Sequence, residues 1–203
     1  MANVQNVNYE EIPSKAKSMR ELGKDINRKL VKIYNSIDEM HNYWYGIRFN
    51  ELEMSFNELV SDINELLQLI VGDIPFELET IANDYSKLES GMDSTSAVNI
   101  PPIRIQLLDI KNDVGMRFIS SEVITIHESI KQDFEAVVNG LNEYQSLFSQ
   151  IEWNSETAIV YRSKFDRIKA SFNNKIDDIN AKFDAIIIQT EEDVENAEND
   201  GLI

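Results

Sequence analysis

The 203-residue sequence has no cysteine, only four prolines and seven glycines, and only two histidines. Without cysteine there is neither a disulfide framework nor a thiolate metal site. With so little proline and glycine, few turns are encoded and long elements are favoured. The histidines, His41 and His127, lie in different halves, and neither has a glutamate three residues before it. The Glu-x-x-His pairs of a di-iron helical bundle are therefore missing, and both histidines read as surface or seam residues. No glycine-rich phosphate loop, Gly-x-Ser-x-Gly elbow or zinc-ligand spacing occurs. The expectation is a non-enzymatic protein with no cofactor, no metal and no small-molecule substrate.

Positive charge is also scarce. Nineteen Lys and Arg face 36 Asp and Glu, a formal net charge of −17. That balance repels nucleic-acid phosphates and anionic lipid headgroups, so no nucleic-acid partner is expected, while a basic partner surface is admitted. The longest apolar stretches, Leu66 to Val71 broken by Gln68, and Ala185 to Ile188, are far too short to span a bilayer. Residues 1–6 lack the basic and apolar parts of a secretory signal. The chain is expected to be cytoplasmic before export, or secreted by a route that needs no signal peptide.

What the sequence does have is helical periodicity. Apolar residues recur in steps of three and four in four stretches: Met19 to Trp44, Leu52 to Ile74, Ile119 to Ile151, and Tyr161 to Ile186. Such steps return to one face of a 3.6-residue helix, and nowhere is period-two alternation sustained. The fold class is all-α. Pro13 suits the start of the first helix. Gly72 and Pro75 predict a kink or restart in the second, with Asp73 able to cap it. Residues 91–102, small and polar and ending in Pro101-Pro102, read as a linker. Seven basic residues between Lys15 and Lys32 face a nearly all-acidic second stretch, which predicts ion pairs between those two arms. The acidic run from Glu191 to Asp200 reads as a solvated, frayed helix end or, more sharply, a docking strip for a basic partner.

The two halves repeat. Counted from Trp44 and from Trp153, Phe56 matches Phe165, Leu59 Ile168, Ile63 Phe172, Leu67 Ile176, Ile70 Ile179, and Ile74 Phe183. Each tryptophan stands where one stripe ends and the next begins, with a small residue two positions on: Trp44-Tyr45-Gly46 and Trp153-Asn154-Ser155.

Tryptophan, any residue, then glycine between two long helices resembles the WXG (ESAT-like) family of helical hairpins associated with type VII secretion in Gram-positive bacteria. The resemblance covers nearly the whole chain as two tandem units. It implies hairpins that pair antiparallel into a four-helix bundle, and a Tyr-x-x-x-Asp/Glu export signal after the second helix of one partner. Tyr85-Ser86-Lys87-Leu88-Glu89 fits that signal, 41 residues after Trp44. Tyr34 to Asp38 also fits the pattern, but in the wrong helix. The matching place in the second unit, Val194 to Glu198, keeps the acid and lacks the tyrosine. The implied secretion-signal and partner-binding residues are thus Trp44, Gly46, Tyr85, Glu89, Trp153 and Ser155. The second unit departs from the pattern in having serine for glycine, so its turn must tolerate a side chain. Of the alanines that often follow the motif, only Ala158 is present.

The implied organisation is a hairpin over 1–90, a linker and crossover over 91–118, and a second hairpin over 119–203. Arms of 30–35 residues are about 45–52 Å long. In an elongated antiparallel four-helix bundle the end of unit one and the start of unit two lie at opposite ends, and twelve linker residues reach only about 40 Å. Residues 103–118 could run back along the bundle as a crossover, which places Tyr85 near the Trp153 turn. Alternatively they lengthen the third helix, and the bundle closes between chains as a homodimer. By resemblance the protein is a type VII secretion-associated substrate or adaptor, with a secretion ATPase or a toxin cargo as partner. A generic helical structural or adaptor protein is the second reading, and a helical pore-forming component the third.

Overall fold

Pro13 falls in the first turn of α1, Ile12–Met40, where its missing N–H removes no helix hydrogen bond. The chain reverses through a two-residue strand β1, Trp44–Tyr45, into α2, Ile47–Leu67. A π-helical turn, Gln68–Asp73, leads into α3, Ile74–Ser90. Residues 96–111 are an extended strap, followed by β2, Arg117–Phe118. The second hairpin is α4, Ser120–Ser149, and α5, Glu156–Asn199. The computed structural model describes residues 11–90, 96–111 and 113–199, except the side chains of 89 and 90.

The hairpins pack antiparallel. Along α1 and α4, Lys15 Nζ donates to the Gln150 carbonyl at 3.0 Å, Lys32 meets Asp133 at 2.7 Å, and Ile119 N–H donates to the Tyr43 carbonyl at 3.0 Å. Along α2 and α5, Lys182 Nζ donates to Ser55 Oγ at 2.5 Å and Lys175 meets Asp62 at 2.8 Å. The Trp44 and Trp153 turns therefore stand at opposite ends of an all-α four-helix bundle that closes within one chain. All twelve residues of the six repeat pairs are buried in its core.

The strap is the crossover. It runs from Arg20, whose Nη2 donates to the Val98 carbonyl at 3.2 Å, to the Trp44 turn, where β2 pairs antiparallel with β1. It lies in the seam between α1 and α2. Those two helices join at Trp44, and the arms of this hairpin meet again where Gly23 of α1 passes the Ile70 carbonyl of the π-helical turn. Between these points α1 packs mainly on α4, and α2 on α5.

Two expectations need correction. The arms were expected to exchange ion pairs, and Arg20 does pair with Glu79 of α3. Other basic residues of α1 pair within the helix (Lys24–Glu21, Arg28–Asp25) or with α4 (Lys32–Asp133), and Glu65 and Asp62 of α2 turn to Lys164 and Lys175 of α5. With the strap between the arms, their charged side chains face other helices. Second, the interruption at Gly72–Pro75 is a widened turn rather than a capped restart. Asp73 Oδ1 accepts from Gln68 Nε2 at 2.8 Å instead of capping α3.

That widened turn has a structural consequence. Ile74 N–H donates five residues back, to Leu69 O. In the same register Ile70 O would take its donor from position 75, where proline has none. The buried Tyr144 hydroxyl fills the vacancy, donating to Ile70 O at 3.0 Å, with its ring stacked on Phe165 at 5.4 Å. A methyl group at Gly23 would stand 2.8 Å from the same oxygen.

Tyr144→Phe leaves that buried carbonyl without a partner and is expected to cost about 1–3 kcal/mol in urea unfolding. Gly23→Ala forces the helices apart there, at about 1–3 kcal/mol. Because both act on one oxygen, the double variant should be clearly non-additive. Simple additivity would show that the two contacts are independent.

Candidate functional site

Each turn uses its small residue for a different physical reason. At the first, Trp44 is fully buried against Phe49 (5.3 Å between centroids) and edge-on to Phe118 (5.4 Å). Gly46 has φ +127° and ψ −176°, a backbone region essentially confined to glycine. Crowding is not the constraint, since the nearest atom to an added Cβ is Gly115 O at 3.5 Å. Beside the turn is a cavity of about 340 Å³ lined by Trp44, Gly46, Ile47, Met116 and Asp193 among others. Ile47 and Val114 are 80% and 99% exposed, so this end presents apolar side chains to solvent.

At the second turn Trp153 is 2% exposed and packs on Phe148 and Tyr161. Ser155 needs no positive φ. Its Oγ accepts from Ala158 N–H at 3.1 Å, the hydrogen bond of an N-cap, so the serine starts α5. Arg162 closes this end by donating to the Ile151 carbonyl at 2.8 Å and lying 5.3 Å above the Phe148 ring.

Tyr85 is half-buried near the end of α3. The Arg20–Glu79 pair and the Lys15–Gln150 hydrogen bond put that end of α3 at the same end of the bundle as the Trp153 turn. Burial raises the Tyr161 phenol pKa, and the carboxylates of Glu77 and Asp73 add to it, which sets the first turns of α5 beside the start of α3. The side chain of Glu89 lies outside the described residues. The structure thus divides the six expected residues between two ends: Trp44 and Gly46 at one, Trp153, Ser155 and the Tyr85 segment at the other.

Sequence reasoning did not find what holds the strap. Three asparagines each grip one strap residue by both of its main-chain groups. Asn27 of α1 donates to the Ile103 carbonyl and accepts from its N–H, both at 2.8 Å. Asn64 of α2 does the same at Ile105, both at 2.9 Å, and Asn57 at Leu108, at 3.0 and 2.7 Å. Ile105 and Leu108 are buried, while Ile103 and Leu107 are more than 60% exposed. One signal was present: Asn57 and Asn64 are seven residues apart and so share a helix face.

Glu53 was also missed, although it sits on the apolar stripe between Leu52 and Phe56. It is 2% exposed and its Oε2 has no partner. Burial chiefly raises its pKa, from 4.5 to about 7. Within that shift Lys111 opposes the rise, and Asp38 of α1, Asp109 of the strap and Asp113 just past the strap add to the effect of burial. Across the strap's end, His41 Nε2 meets Asp113 Oδ2 at 2.7 Å. His127, by contrast, is buried and stacked on Phe183 at 4.3 Å; burial and then Lys131 lower its pKa. Among the described residues no group of three or more His, Asp or Glu is placed to hold a metal ion.

Two measurements follow. Gly46→Ala should destabilise by about 1–3 kcal/mol through strain at positive φ, whereas Ser155→Gly should cost only a few tenths. Equal costs would contradict the different roles. A carboxyl raised in the fold is most favourable when protonated. The Glu53 contribution is therefore full below about pH 4.5 and is lost as pH rises to about 7, after which it is constant. The loss should total roughly 3 kcal/mol. Glu53→Gln should abolish this slope, and subtracting the two stability–pH curves removes the opposite contribution of His127. Parallel curves would refute the assignment.

No protein-family model matches the chain, and neither the curated proteins nor the solved structures give a significant match.

Proposed function

We propose that this protein is a non-enzymatic, type VII secretion-associated helical protein, a secreted substrate or an adaptor for a toxin, working through protein–protein contacts. The observation that carries this reading is the pair of antiparallel hairpins joined in one chain, with Trp-x-Gly at the first turn and that glycine in a conformation only glycine adopts readily. The likeness to a WXG heterodimer fused end to end motivates the secretion role, and the export ATPase or a toxin is the proposed partner. Both tryptophan rings are buried, so their role here is to shape the turns. What a partner touches is the surface around them: the exposed Ile47 and Val114 at one end, the Tyr85 segment at the other.

The same burial favours a second reading, in which the tryptophans only plug the ends of a structural or adaptor bundle with no secretion role. A pore-forming component is less well supported, because among the described residues no helix is long and apolar enough to cross a membrane. Tyr85→Ala separates the first two readings. Under the secretion reading export from the native host falls at least about tenfold, a recognition loss of roughly 1.4 kcal/mol, while helix content holds. Undiminished export of a folded variant would favour the structural reading.

A further inference from the structure

The strap occupies the seam between α1 and α2 as a ligand would. Its buried positions, Ile105 and Leu108, are three residues apart, the repeat of a polyproline II helix, and they come shortly after Pro101-Pro102 of the same strap. A polyproline helix has no internal hydrogen bonds, so a buried one must find outside partners for its main chain. Asn27, Asn57 and Asn64 supply them in three two-point pairs, all between 2.7 and 3.0 Å.

We propose that the α1–α2 seam is a binding groove for an extended, polyproline-type peptide segment with apolar side chains three residues apart, and that the strap is its resident, exchangeable occupant. The proposal is independent of the secretion reading.

Three observations support exchange. The carboxamides contact only N–H and C=O groups, which any extended segment carries, so side-chain selection rests on the Ile105 and Leu108 positions. The walls of the groove are braced from behind, α1 on α4 and α2 on α5, so a departing strap leaves both walls supported. Finally, the resident sequence fits badly at one point. Glu53 Oε2 is buried without a partner, and Asp109 of the strap, Asp113 just past it and Asp38 of α1 act electrostatically against its charged form, with Lys111 the opposing cation. A segment with a basic residue where the strap has Asp109 would give Glu53 the partner it lacks. The groove therefore fits an extended segment with Ile and Leu three apart, followed at once by Lys or Arg.

The probe is an 11-residue peptide copying residues 101–111 with Asp109→Lys. Added to the intact wild-type chain at about 1 mM, comparable to the effective concentration of a tethered segment, it should speed hydrogen exchange at the amides of Ile103, Ile105 and Leu108 severalfold. A control peptide with serine for Ile105 and Leu108 should not. In the full chain carrying Ile105→Ser and Leu108→Ser, the internal competitor is weakened, and the labelled probe should bind at least about tenfold more tightly than to wild type. Adding Asn57→Ala and Asn64→Ala should remove that binding while helix content by circular dichroism is retained. Unchanged strap protection in wild type overturns the proposal, as does binding that survives loss of both carboxamides. Should the strap variant fail to fold, the exchange experiment on wild type decides alone.

Discussion

Three asparagine carboxamides, each paired with both main-chain groups of one strap residue, are the contacts on which the connectivity of this bundle depends. Two antiparallel hairpins in one chain leave the end of the first at the far end from the start of the second. The chain must return along the bundle, and the seam between α1 and α2 is where it does so. A returning helix would need a fifth place in the bundle, whereas an extended strap is thin enough for a seam. Its unpaired N–H and C=O groups then become the main cost of burial, several kcal/mol each if left without partners. Asn27, Asn57 and Asn64 meet that cost.

The strap in turn sets the arrangement of the helices. With Ile105 and Leu108 filling the gap, α1 and α2 part after the Trp44 turn and take α4 and α5 as their main partners. They close again at Gly23 and the π-helical turn, where the absence of a side chain and the absence of a proline N–H act on the same atom, Ile70 O. The charged surface follows this geometry, with lysines of α5 beside acids of α2 and, Arg20–Glu79 apart, the pairs of α1 directed to itself and to α4. Such exposed pairs are individually worth little. Burial of the stripe residues holds the bundle, and the ion pairs follow it.

At the two turns, one sequence pattern supports two mechanisms. Glycine at 46 answers a backbone dihedral, and serine at 155 answers an uncapped helix start. The departure from Trp-x-Gly in the second unit is therefore a change of device: the turn tolerates a side chain because that side chain caps α5. The tryptophans are alike in being buried and unlike in surroundings, since only Trp44 lies against the β1–β2 ribbon and the end of the strap.

The sequence by itself determined the helices. Steps of three and four in apolar residues located all four arms and the twelve matched core positions, because the period of a helix is a local property of the chain. It also located both turns, marked by tryptophan and a small residue, and, once arm length was compared with linker reach, left two arrangements open, a crossover or a longer third helix with the bundle closed between chains. Tertiary structure alone decided the rest. Beyond the seven-residue spacing of Asn57 and Asn64, nothing local distinguishes Asn27, Asn57 and Asn64 from solvated asparagines; their partners lie 41 to 76 residues away. Glu53 stands on the apolar stripe, but its burial without a partner follows only once the helices and strap are packed, and Tyr144 looks like any core aromatic until a proline in the other hairpin leaves Ile70 O open. Hydrogen bonds to a distant main chain leave no period in the sequence, and so they become legible only when packing brings the two segments together.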